Sequence, residues 1–190
     1  MKKDLSIVGR KNRELTDEEI IKHHLRNQPF AFIASSRNNQ PFINSNLFYY
    51  HEADNIIYFH TGRGSNTEKN FRDNSKACFS IAVMGRLLPA KEATDFSTEY
   101  LSVVVFGEVS IVTDPPKIIE VLDAYFKKYF PKTDPATAHF TEQEAMGPTV
   151  FAIKINEWSC KGNLPTDPHG AFRYRDIANE DYTTSMTNFW

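Results

Sequence analysis

Cysteine is nearly missing: Cys78 and Cys160 are the only two in 190 residues. No CxxC spacing occurs, which removes the usual structural zinc site and redox dithiol. Two buried thiols suit a reducing compartment. Long apolar runs are missing as well. No stretch nears the roughly 20 residues that span a bilayer, and the opening MKKDLSIVGRKN lacks the apolar core of a secretory signal. A cytoplasmic protein without a membrane partner is the expectation. Net charge is small, -2 at pH 7, so nothing draws the chain toward nucleic acid. The signatures HExxH and GxSxG do not occur. The histidines, at positions 23, 24, 51, 60, 139 and 169, show no tight ligand spacing, so no metal site is expected.

What is present describes one soluble domain over residues 1–190. Apolar residues make up 41% and charged residues 24% of the chain, ordinary values for a globular protein. Phenylalanine and tyrosine are abundant, at 15 and 8, which an aromatic-rich β core explains. Six strand signals follow one another: 30–36, 41–50, 56–61, 76–86, 100–112 and 149–160. Their tight early connections, through Asn38-Asn39 and Ala53-Asp54-Asn55, suggest an antiparallel barrel, where closure removes exposed edges. Three helices flank it. Thr16 and Glu19 form a capping box ahead of a helix to Arg26, and Ser65 and Glu68 a second ahead of a short helix to Asp73. Pro115-Pro116 opens a third helix to Phe130, whose apolar and aromatic stripe reads as core or subunit packing. Residues 1–14 read as a loose arm and 131–148 as a surface loop. The tail over 161–190, with Phe172, Tyr174, Tyr182, Phe189 and Trp190, reads as a candidate wrap over a partner subunit.

Two places carry candidate chemistry. In the second strand, alternation sets Phe42, Asn44, Asn46, Phe48 and Tyr50 on one face and Ile43, Ser45, Leu47 and Tyr49 on the other. Asparagine in mid-strand runs against β propensity. The pair either bonds a polar planar ligand or faces water or a subunit contact. The second place is Phe59-His60-Thr61-Gly62-Arg63-Gly64-Ser65-Asn66-Thr67, where a strand runs through glycines into a capped helix. Helix-start amides, two hydroxyls and an arginine suit a phosphate. Glu68 competes for the same amides, and the plain alternative is a glycine turn with no ligand. His60 is either a satisfied structural residue or a proton-transfer group.

The segments PFINSNLFYY, IIYFHTGRGSNTEKNFRDNSKACFSI, MGRLLPA, FSTEYLSVVVFGEV, the helix before YFPK, and VFAIKINEWSCKG occur in this order over residues 16–162. Together they resemble the pyridoxamine 5'-phosphate oxidase-like flavin-binding split barrels, on the branch that includes the nitroimidazole-resistance (Nim-type) flavoproteins. The resemblance implies a mainly β fold, a six-stranded antiparallel Greek-key split barrel with flanking helices, and a homodimer with FMN between subunits. Asn44, Ser45, Asn46 and Leu47 would then run beside the isoalloxazine. Phe59, His60 and Thr61 would line the ring and ribityl chain, Arg63, Ser65, Asn66 and Thr67 would hold the phosphate, and Ser102 would add a contact from the other subunit. Two departures stand out. Asn66-Thr67 occupy the place of an Arg-Lys pair, and the second strand lacks the basic motif of true pyridoxamine-phosphate oxidases. The implied activity is an oxidoreductase acting on a small-molecule acceptor, with His60 as a possible proton relay. A non-catalytic flavin carrier or sensor and a haem protein on the same fold are the alternatives.

Overall fold

The computed structural model describes residues 4–134, 137, 139–166 and 169–173. Period-two burial drives seven strands into one antiparallel sheet. They are β1 (Ala31–Arg37), β2 (Gln40–Asn46), β3 (Tyr49–His51), β4 (Ile56–Gly62), β5 (Lys76–Leu88), β6 (Ser97–Ile111) and β7 (Pro148–Asn163). Their spatial order is β2-β1-β5-β6-β7-β4-β3. The expected six become seven because the run 41–50 is two strands. At Leu47-Phe48 the chain leaves one sheet edge and joins the other. Three residue steps cover at most roughly 10 Å, so the two edges of the sheet must lie close together. That connection closes the split barrel.

Side chains fill its interior. Phe48, Phe59, Phe79 and Phe151 are fully buried with Ile33, Ile57, Ile81, Ile153, Val103 and Val105. Phe59 stacks on Phe151 at 4.8 Å between centroids, and Phe48 meets Phe79 edge-on at 4.9 Å, geometries that aromatic quadrupoles favour. Core packing accounts for part of the phenylalanine surplus, while Phe30, Phe32, Phe96 and Phe130 stay exposed. Gly107, at a register shift between β6 and β7, is small by necessity, since a Cβ there would lie 2.4 Å from the Lys154 carbonyl oxygen.

Four helices flank the sheet among the described residues: α1 (Glu18–Asn27), α2 (Asn66–Asp73), α3 (Pro115–Tyr129) and α4 (Glu142–Ala145). The cap of α1 is Asp17, whose carboxylate accepts from the Glu19 amide at 2.9 Å, one residue later than the Thr16 box. Ile118, Val121, Leu122 and Tyr125 of α3 pack on Tyr58 and Val150 in a second core, so the helical stripe is internal packing. The reading of residues 131–148 as loop is corrected by α4, which Thr141 and Glu144 cap reciprocally.

The N-terminal arm is not loose. Val8 is buried, Ser6 donates to Glu157 at 2.5 Å, and Leu15 donates to the Cys160 carbonyl at 3.0 Å. Of its described apolar side chains Val8 is buried, while Leu5 and Ile7 stay exposed. Phe172 exchanges backbone hydrogen bonds with Leu87, at 2.7 and 3.2 Å. Tyr174, Tyr182, Phe189 and Trp190 lie outside the described residues.

Candidate functional site

Between β4 and α2 the backbone turns through Gly64 at φ +75°, a conformation only glycine adopts freely. Ser65 caps α2, its hydroxyl accepting from the Glu68 amide at 3.2 Å. The capping box itself is displaced. Glu68 reaches past the Ser65 amide, which donates to the Gly62 carbonyl at 3.3 Å, and accepts from Gly64 N–H at 2.8 Å. The Thr149 hydroxyl donates to the same carboxylate oxygen at 2.9 Å, and Arg72 donates to the other from Nε and Nη2 at 3.0 and 2.7 Å. These bonds occupy the carboxylate.

The competition foreseen for Glu68 is thus real, and it is partial. Gly64 is taken, the Glu68 amide is held by Ser65 Oγ, and the Lys69 amide by Ser65 O at 3.1 Å. Asn66 and Thr67, as the first two helical residues, have no intrahelical acceptor for their amides. Arg63 and Arg72 line this corner together with Glu68, which Arg72 pairs. Arg63 is exposed and donates to the Met146 carbonyl at 2.6 Å. Thr61 and Ser65 bond each other through their hydroxyls at 2.9 Å.

The Gly64 amide first, then Arg72 and Thr149, hold the Glu68 carboxyl down at about 2. A depressed carboxylate contributes stability above its unfolded value, and that contribution is lost as pH falls from about 4.5 through about 2. Urea midpoints measured between pH 5 and pH 2.5 are expected to drop more steeply for the native chain than for Glu68→Gln; parallel descents would refute the linkage.

The second strand behaves as its alternation foretells. Asn44 and Asn46 point inward opposite Ile33 and Ala31, while Ile43 and Ser45 point outward opposite Ala34 and Phe32. Asn46 Nδ2 donates to the His60 carbonyl at 2.6 Å, tying β2 to β4 across the split. Among the described residues β2 pairs only with β1, so its other edge presents unpaired backbone groups.

Sequence reading missed what braces this edge. The Tyr125 hydroxyl lies 2.9 Å from the Leu47 carbonyl oxygen and 3.1 Å from that of Tyr58. Phe48 N–H donates to the Tyr129 hydroxyl at 3.0 Å, and Lys128 Nζ donates to the carbonyls of Gln28 and Phe48 at 2.9 and 3.0 Å. The ammonium sits 4.0 Å over the Phe48 ring, and burial pulls its pKa down to about 8. Helical spacing marked Tyr125 and Tyr129 as packing, left Lys128 unremarked, and gave no sign that their polar tips would bond the crossover.

The remaining candidates separate. His60 Nδ1 is buried without a hydrogen-bond partner, and burial lowers the imidazole pKa, favouring the neutral ring. The Tyr125 ring meets it edge-on at 5.0 Å. Phe59 is fully buried, which corrects its role: it can offer a ligand its backbone but no ring. Thr67 is buried as well. Ser102 is half-buried on the outer face of β6, opposite Ala82 and Lys161, three strands from β2.

Phe30, Phe32, Ile43 and Met84 leave 47%, 52%, 62% and 58% of their surface exposed, from β2, β1 with its approach, and β5. This apolar face is unusual on a lone monomer. A cleft of about 430 Å³ between Leu87, Pro89, Phe96 and Phe172 holds none of the expected site residues. Among the described residues no helix is long and apolar enough to cross a membrane, and no group of three metal-ligating side chains converges.

Solved structures share this fold. The flavocytochrome Anf3 from Azotobacter vinelandii superposes with a TM-score of 0.77 at 21% identity, over 97% of this chain and 91% of that one. The FAD and haem binding protein from Mycobacterium smegmatis gives 0.70 at 22% identity, over 82% of this chain and 76% of that one. A candidate 5-nitroimidazole antibiotic resistance protein from Bacteroides thetaiotaomicron gives 0.67 at 16% identity, over 78% and 86%. No curated protein sequence matches the chain. The sequence profile described as pyridoxamine 5'-phosphate oxidase matches residues 17–161, across the whole barrel from α1 into β7. The chain belongs to the pyridoxamine 5'-phosphate oxidase-like family of split barrels.

Proposed function

We propose that the protein binds the riboflavin phosphate unit, FMN, with its phosphate on the opening turn of α2 and its ring against the free edge of β2. The carrying observation is the pair of amides at Asn66 and Thr67, left without intrahelical acceptors beside the guanidiniums of Arg63 and Arg72. A phosphate supplies acceptors that the helix cannot. Arg63 has the reach to leave the Met146 carbonyl for a charged oxygen, a stronger bond than the one it gives up. The unpaired backbone of Asn44, Ser45, Asn46 and Leu47 offers alternating donors and acceptors to a flavin's polar edge, and His60 Nδ1 is a buried polar atom that a ligand would satisfy.

The cofactor brings hydride or electron transfer when bound; the protein binds and orients it. Neutral His60 can hold or pass a proton at Nδ1, and the strut formed by Tyr125, Lys128 and Tyr129 keeps the crossover rigid. An oxidoreductase acting on a small-molecule acceptor is the activity this arrangement supports best. Pyridoxamine 5'-phosphate is a poor candidate substrate, because β2 offers asparagines where a substrate phosphate needs cations.

A homodimer in the cytoplasm completes the reading. A second copy would cover Phe32, Ile43 and Met84, and Ser102 on the outer face of β6 would reach a flavin held by β2 of the other copy. Haem is the second reading, because two fold neighbours are a flavocytochrome and a haem-binding protein. His60 could ligate it, whereas His139 already holds Asp123 at 2.6 Å. A flavin carrier without turnover needs the same contacts as an enzyme. The absorbance spectrum of the purified protein tests all three. Flavin bands that a nicotinamide donor bleaches support the oxidoreductase; bands that no donor bleaches leave the carrier. A Soret band supports haem, and a colourless chain that takes up no added FMN ends the proposal.

A further inference from the structure

The cleft of about 430 Å³ at the tip of the β5–β6 hairpin shares no residue with the α2 corner. Leu87, Leu88, Pro89, Phe96 and Phe172 supply its apolar walls. Two sets of bonds hold these walls in place. At the base of the hairpin, Arg86 N–H and Nε donate to Glu99 Oε2 at 2.9 and 2.7 Å, and Nη2 donates to Oε1 at 2.5 Å. On the other side of β5, Phe172 trades backbone hydrogen bonds with Leu87, which brings a ring from the end of the chain onto the hairpin. The cleft is therefore built by the fold itself. Its volume lies within the roughly 300–1,000 Å³ of small-molecule sites, which are mostly pre-formed and apolar.

The walls also say which molecules fit. None of the seven described lining residues is charged, and none has a side chain that commonly ligates a metal. A phosphate, carboxylate or ammonium entering here would give up water without finding a partner of opposite charge. Phe96 and Phe172 are the kind of wall that a planar ring packs against, and Phe96 leaves 60% of its surface for a ligand to cover. The polar groups are few. The Thr98 hydroxyl is engaged with the Arg86 and Glu99 carbonyls at 3.2 and 3.0 Å. Ser97 Oγ accepts from Asn163 Nδ2 at 3.2 Å, and its own proton can go to one acceptor on a ligand.

We infer that this cleft is a second ligand site, independent of the flavin reading, and that it takes a neutral, apolar molecule built on a planar ring. Uncharged walls select against nucleotides and organic acids, and the two phenylalanines supply the affinity.

Fluorescence titration of the full chain with the neutral probe N-phenyl-1-naphthylamine tests this. The probe is expected to brighten on binding. Its sulfonated relative, 8-anilinonaphthalene-1-sulfonate, should displace it only at tenfold or higher concentration. Phe96→Ala should weaken the probe at least tenfold, and Phe96→Tyr, which keeps the ring, should restore it. Pro89→Asp, which sets a charge at the exposed rim, should weaken it as much as Phe96→Ala does. Ile43→Glu, on the other exposed apolar face, should leave it unchanged. Melting temperatures of all four variants show that they fold, and FMN titration of the cleft variants should match the native chain. A native chain that does not brighten the probe overturns the inference. So does binding that survives Phe96→Ala and is lost in Ile43→Glu, or displacement by the sulfonate at equal concentration. Binding that appears only on dilution of the protein would make a second copy of the chain the occupant instead.

Discussion

Arg63→Glu is expected to weaken FMN binding about 100-fold, close to 3 kcal/mol. Arg63 is the cation best placed to turn toward a phosphate on Asn66 and Thr67, because its present partner is only the Met146 carbonyl at 2.6 Å. A hydrogen bond to a charged group is worth about 1.5–3 kcal/mol, and the substitution adds repulsion against a doubly charged phosphate. Arg63 is exposed, so the melting temperature should stay nearly constant. Calorimetric titration of both proteins measures the ratio. The native affinity should also fall with added salt, since exposed charges are screened within about 10 Å at 0.1 M. An unchanged dissociation constant in Arg63→Glu would move the phosphate away from this corner.

The second large effect concerns the fold. Phe59→Ala should cost about 3–5 kcal/mol, the usual range for emptying an aromatic core site. Its ring is fully buried and stacks on Phe151, so its loss opens a cavity in the barrel. Urea unfolding gives the figure, and a loss below about 1 kcal/mol would show that the ring is not core. The pair of substitutions separates two roles that neighbouring residues could have shared. Arg63 acts on the ligand with little effect on stability, and Phe59 does the reverse.

Much of this was legible in the residues. Period-two alternation in β2 sorted Asn44 and Asn46 from Ile43 and Ser45 correctly, because one strand face packs on a core whatever its neighbours are. Ser65 announced the start of α2, since caps are local chemistry. The split of residues 41–50 into two strands was not legible. Nothing in Leu47 or Phe48 says that the chain changes sheet edge there; the bonds from Tyr125, Lys128 and Tyr129 that hold it come from some 80 positions away, such as Phe48 to Tyr129. Phe59 entered through the resemblance alone, which names a position beside the ligand but not whether ring or backbone faces it; its ring is buried. Ser6 and Val8 went unnoticed because a polar, basic segment carries little sign that a few of its residues dock on β7. In the candidate site, Glu68 was visible as a competitor, yet only the geometry shows that it takes Gly64 and spares Asn66 and Thr67.

That distinction allows a direct test of where the phosphate binds. In an amide-resolved NMR titration with FMN, the Asn66 and Thr67 N–H signals should be among those that move most. Gly64, whose amide is already held by Glu68, should move far less. Signals at Asn66 and Thr67 that stay fixed while FMN binds, with the large shifts elsewhere, would contradict the account.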